Sequence, residues 1–154
     1  MTSEKSLFVE LTDALMKYRA VNTALFTKHK VGVILSQAAA HWNAFIKEII
    51  KHRKIWTIRD EGGIPTSTNF DGETSMPFWS LKSRAEKIIE NVPHYKGFQP
   101  YEIEFDEFLN RWLKGLEKDG LYLGVNWSGK RATGYDINPK KVLERIQYEL
   151  SLND

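Results

Sequence analysis

The chain has no cysteine among its 154 residues. That excludes disulfides, thiolate nucleophiles and any cysteine-based zinc site, and it fits a reducing compartment. A strong charge imbalance is missing too: 22 Lys and Arg against 20 Asp and Glu leave a net charge of +2, too weak for the basic field that nucleic-acid binding usually requires. A nucleic-acid partner is therefore not expected. No segment approaches about 18 consecutive apolar residues, so no membrane span is expected. The opening MTSEKSLFVELTDALMKYR, with early acids and no long apolar run, does not read as a signal peptide. The expected location is the cytoplasm.

Motifs of phosphate and metal chemistry are absent as well. The ten glycines do not fall into G-x-x-x-x-G-K-S/T or G-x-G-x-x-G, and no G-x-S-x-G elbow or H-E-x-x-H pair occurs. Of the four histidines, His29, His41, His52 and His94, His41 and His52 share a predicted helix but stand about 16 Å apart along its axis. They cannot share a metal. Neither a metal nor a cofactor is expected.

What is present is an ordinary folding composition, 42% hydrophobic, 27% charged and 12% aromatic, in a length that suits one domain. The clearest stretch is YEIEFDEFLNRWLKGLEKDGLYLGVNW, residues 101–127. Tyr101, Ile103 and Phe105 alternate with acids as in a half-buried strand, and Asp106 stands where a helix N-cap should. Phe105, Phe108, Leu109, Trp112, Leu113 and Leu116 then form one helical stripe. Gly120 ends that helix, and Leu121, Leu123, Val125 and Trp127 alternate with Tyr122, Gly124 and Asn126 in a second strand with one face buried.

Before this stretch, Leu7, Leu11, Leu15 and Tyr18 recur at helical spacing from about Ser3. Residues 18–36 read either as helix broken near Gly32 or as helix followed by a short strand, VGVIL. Residues 37–53 are helical, with Trp42, Phe45, Ile46 and Ile49 on one stripe. Lys54 to Asp60 is a strand ending at a Gly62-Gly63 turn. Asp71-Gly72 marks a tight turn, Met76 to Trp79 a short strand, and Ser80 the N-cap of a helix that Pro93 stops. The run SGKRATG after Trp127 is a turn or hairpin loop, and Asn138-Pro139 opens a last helix. The sum is an α+β fold, a small mainly antiparallel sheet of four or five strands with helices packed mainly on one face. The whole of 1–154 reads as one domain, with 1–36 a helical N-terminal extension and 37–150 the α+β core.

Candidate functional residues are few. Arg59 and Asp60 end a strand, where functional groups are often displayed, and the plainer account makes Arg59 a structural cation. Glu102, Glu104, Asp106 and Glu107 form an acidic set that could do acid/base work, although strand exposure and helix-terminus charge explain it as well. Trp79, Trp127 and Tyr135 lie at strand ends or in loops, where an aromatic serves equally as core or as contact surface.

The series IWTIRDEGG, MPFWSLKSRAEKI and EIEFDEFLNRWLKGLEKDGLYLGVNW resembles an uncharacterised bacterial family, the domain of unknown function numbered 2750. The likeness covers about residues 40–150. It implies a small bacterial α+β protein and brings no established activity, so no catalytic residue is carried over. A looser likeness, in strand order and in the PFWS and GVNW boxes, is to the sheet-and-helix domain of secretion-associated SseB-like proteins, and concerns fold alone.

Two functions remain open on this reading. The first is a non-enzymatic protein-binding module, immunity-like in character. It would act through the strand-end aromatics and the loops 62–75 and 128–136, with another protein as partner and a homodimer compatible. The second is a small-ligand binder or hydrolytic enzyme that uses Arg59, Asp60 and the acids near Glu104 around a pocket rimmed by Trp79 and Trp127. The balance of motifs leans against catalysis.

Overall fold

The computed structural model describes residues 28–153. The helix expected from Ser3 to Tyr18 lies outside these residues.

Helix α1 runs unbroken over Lys28–His52, so neither a break at Gly32 nor a VGVIL strand forms. One interior glycine costs a helix about 1 kcal/mol, too little to interrupt one anchored further on by Trp42, Phe45, Ile46 and Ile49, all buried. Arg53 turns the chain out of the helix at φ 56°, with its amide bonded to the Ile49 carbonyl at 2.9 Å. Strand β1 (Lys54–Arg59) follows directly.

A hairpin of β2 (Ser67–Thr68) and β3 (Thr74–Phe78) comes next, then helix α2 over Lys82–Asn91. A 3-10 turn at Pro93–Tyr95 leads into β4, Gln99–Glu104. Helix α3 combines an α turn Phe105–Glu107, a π segment Phe108–Trp112 and an α segment Leu113–Lys118. Strands β5 (Tyr122–Ser128) and β6 (Thr133–Ile137) and helix α4 (Pro139–Ser151) complete the order.

The fold is α+β, as expected, with six strands in two small sheets among the described residues. β1 pairs antiparallel with β4, while β2, β3, β5 and β6 form the second sheet in that order. Among the described strands only β3 and β5 run parallel. Their connection must cross over, and α2, β4 and α3 supply the crossover. The two sheets meet where Trp56 and Trp79 exchange backbone hydrogen bonds at 2.8 and 2.7 Å. β6 lies in what the sequence suggested was an exposed loop: TGYDI interleaves the strand formers Thr133, Tyr135 and Ile137 with Gly134 and Asp136, and pairing with β5 secures it.

Two cores flank this layer. The larger gathers α1, α3 and α4 against Ile55, Phe78, Ile103, Leu123 and Val125. The smaller sits under α2 and holds Ile58, Trp79, Ala85, Ile88 and Trp127. Ile55 and Ile58 differ by an odd number of positions, which places them on opposite faces of β1. Helices therefore cover both faces, three on one and α2 on the other. For that reason Leu123 to Trp127 are all buried, and the expected alternation of buried and exposed positions in β5 is replaced by burial throughout.

Two expected caps are also replaced. The α2 N-cap is Leu81, which makes no side-chain capping bond, because Ser80 turns inward. The α3 N-cap is Glu104 and Asp106 lies inside the first turn. The Phe105 amide already donates to the Arg53 carbonyl at 3.1 Å, so Asp106 acts there as a charge near the positive helix end.

Candidate functional site

The candidate residues named from sequence fall in three separate places. Arg59 is exposed and lies with its guanidinium 4.1 Å from the Tyr101 ring centroid. Asp60 is also exposed and accepts from the Gly62 amide at 2.8 Å, closing the turn. Both line a wide-mouthed hollow of about 580 Å³ together with Glu61, Gly97, Gln99 and Pro100. Glu104 is remote from it: Lys54 pairs with Glu104 at one end of the β1–β4 ladder and Arg59 with Gln99 at the other. Five strand steps separate them, about 17 Å. The cation and acid that hydrolytic work would need at these positions do not converge.

Trp79, Trp127 and Tyr135 are 0%, 5% and 3% exposed. None offers its ring to solvent. Trp79 donates from Nε1 to the Trp127 carbonyl at 2.8 Å, and Trp127 from Nε1 to Asp136 Oδ1 at 3.0 Å. Tyr135 packs edge-on against Trp42 in the larger core. The burial of Trp79 and Trp127 follows from the second helical layer, and that of Tyr135 from packing on the larger core; both cover strand ends that the sequence suggested would be open.

Trp127 reaches the smaller core through a bulge. Val125 pairs with Tyr135 but Ser128 pairs with Thr133, so β5 carries one residue more than β6 across this interval. Asn126 takes up the surplus at φ 47°, a conformation that asparagine tolerates better than most residues. The indole then lies over Gly124 and Gly134. A Cβ at Gly124 would fall 2.1 Å from Trp127 Cε2, and one at Gly134 2.9 Å from Trp127 Cδ1.

A polar chain that the sequence reading did not identify runs beside this bulge. Asn126 is 2% exposed; its Oδ1 accepts from the Ser80 amide at 3.0 Å and its Nδ2 donates to Ser80 Oγ at 3.0 Å. Ser80 Oγ donates to Glu48 Oε2 at 2.7 Å. Arg84 clasps the same carboxylate with Nε at 3.3 Å and Nη2 at 2.8 Å. Burial pushes the Glu48 carboxyl upward, but hydrogen bonds from Arg84 and Ser80, and then the charges of Arg84 and His52, outweigh it and hold the group below its ordinary value. His41 is also lowered, by burial first and by the Arg84 charge second. Glu48 lies 32 positions from Ser80, and Asn126 lies 46. No local motif announces such a meeting; the one available sign was a Ser and an Asn inside apolar boxes, PFWS and GVNW.

Arg84 also lines a cavity of about 370 Å³ between α2 and the bulged end of β5. Elsewhere, Phe70 is 88% exposed at the tip of the β2–β3 hairpin. Asn69 holds that tip in shape: its Oδ1 accepts from the Asp71 and Glu73 amides, each at 3.0 Å, and its Nδ2 donates to Glu73 Oε2 at 3.2 Å. The Asp71-Gly72 turn was legible in the sequence, but the outward aromatic was not. Among the described residues no three His, Asp or Glu side chains gather to hold a metal ion, and no helix is long and apolar enough to cross a membrane.

In a comparison with known families, the model of a family described as Protein of unknown function (DUF2750) matches residues 42–146. The matched span runs from the start of the α1 core stripe to Ile146 in α4 and includes both cores. No curated protein matches the chain.

Proposed function

The chain belongs to that family, DUF2750, and we propose that it acts as a non-enzymatic protein-binding module whose contact surface is the hairpin tip around Phe70. The supporting observation is that tip itself. A phenylalanine left 88% exposed sits on a turn whose backbone Asn69 braces, so little backbone entropy is lost when its ring enters a pocket. The segment 60–73, DEGGIPTSTNFDGE, carries Asp60, Glu61, Asp71 and Glu73 and no Lys or Arg. The partner that suits it is a protein with an apolar socket rimmed by basic side chains.

The separation of Arg59 from Glu104 supports a role without catalysis. A bacterial, cytoplasmic setting fits the family resemblance and the cysteine-free composition, and an immunity-like role, in which the partner is a toxin, is one form that this surface suits.

The test uses the full chain and its Phe70→Ser variant as baits in host lysate, with the recovered partner purified and titrated against both. Phe70 packs on little, so the variant keeps the wild-type melting temperature. Recovery of a stoichiometric partner whose affinity drops about 30-fold with Phe70→Ser supports the reading, in the range expected of an aromatic anchor. Recovery of none, or of one that binds both chains equally, refutes it.

A further inference from the structure

We propose that the cavity between α2 and the bulged end of β5 is a binding site for a small organic carboxylate with an apolar body. Arg84, Lys87 and Asn91 follow one another at helical spacings of three and four, so one stripe of α2 faces the cavity with two cations and an amide. Trp127, Ser128 and Gly129 form the opposite wall, and among the described residues no Asp or Glu side chain lines the cavity. The volume of about 370 Å³ is within the range of small-molecule sites.

The chemistry of Arg84 makes the carboxylate specific. Glu48 takes the Nε and Nη2 edge of the guanidinium, and that contact fixes the plane of the group. The edge formed by Nη1 and Nη2 is not used by Glu48, and a planar carboxylate matches such an edge with two parallel hydrogen bonds. Lys87, exposed one turn further along α2, supplies a second positive charge at the mouth. The apolar body of the ligand would lie against Leu81, a half-buried apolar side chain of the cavity lining.

Asn126 explains why the wall has this form. Its left-handed backbone at φ 47° rotates β5 at the point where the strand borders the cavity. Backbone held in this region at a cavity wall is a recurrent feature of ligand sites.

The probes are benzoate, indole-3-acetate and hexanoate, each beside its neutral primary amide, titrated into the full-length ¹⁵N-labelled chain and followed by amide chemical shifts. A saturable shift by at least one carboxylate, centred on Lys87, Asn91, Ser128 and Gly129 and absent with its amide, supports the site. Lys87→Met is an exposed substitution that leaves the fold intact, and it should weaken that carboxylate about tenfold. Three results overturn the proposal: no carboxylate saturates, the amides match the acids, or the shifts centre on another part of the molecule. The hairpin variant Phe70→Ser leaves these titrations unchanged, so this site and the proposed protein contact stand or fall separately.

Discussion

Asn126 joins two demands at one position. Its backbone sits at φ 47°, and its side chain completes the hydrogen bonding of Ser80, which is 1% exposed. Removing the side chain leaves the Ser80 amide buried without its acceptor, a loss of about 1 to 3 kcal/mol. Alanine adds about 1 kcal/mol because its Cβ is poorly tolerated in the left-handed region, whereas glycine does not. Asn126→Ala is therefore expected to lower stability by about 2 to 4 kcal/mol and Asn126→Gly by about 1 kcal/mol less, measured by urea unfolding. Equal losses would show that the backbone conformation contributes nothing.

At the scale of the element, α3 shows what one surplus residue does to a helix. The Leu113 amide bonds to the Phe108 carbonyl five positions back, and this wide turn lets Phe105, Phe108, Leu113 and Leu116 all reach the larger core. Asn110 is exposed within the π segment. Inserting one alanine after it would add a second surplus residue and rotate Leu113 and Leu116 by about 100° relative to Phe105. The insertion is expected to cost at least about 3 kcal/mol in denaturant unfolding, since two buried leucines lose their places, while Asn110→Ala stays within about 0.5 kcal/mol. The stripe of α3 was legible in the sequence because apolar residues three and four apart point to one side in either geometry. The π turn was not, since its cause lies in what the helix packs against. The same holds for Ser80: S-L-K before an apolar stripe is a sound local start signal, and a carboxylate from another helix outcompeted it.

Across the whole molecule, the chain Glu48, Ser80, Asn126 with Arg84 ties α1, α2 and β5 together, so its titration is felt by the entire fold. The Glu48 carboxyl is held below 4.5 in the folded protein. Its contribution is present above that value and is lost as pH falls through the lower folded value. His41 is held below 6.5, so its protonation, beginning as pH falls through this region, also disfavours the folded state. Wild-type stability should decline from about pH 6.5 downward and again below about pH 4.5. Denaturant midpoints measured across this range should show His41→Gln flattening the upper part of the decline and Glu48→Gln the lower. A pH profile unchanged by both would contradict the assignment.

At this scale the sequence conveyed the class of fold and the order of most elements, because strands β1, β3, β4 and β5 and the helix stripes each declare themselves within a dozen residues. It conveyed neither the second helical layer nor the polar chain. Both depend on residues that meet only after the crossover from β3 to β5 has been made, and the burial of Trp79 and Trp127 follows from the same event.

The bulge in β5 has a last consequence, for alignment. Gly124 of β5 itself and Gly134 of β6 leave the space that the Trp127 indole fills, so the ring keys β5 to β6 like a peg in a notch. Sliding β5 by a single step against β6 would carry the ring off Gly134 and towards a residue that has a side chain, so that misregistered pairing would be disfavoured by shape during folding.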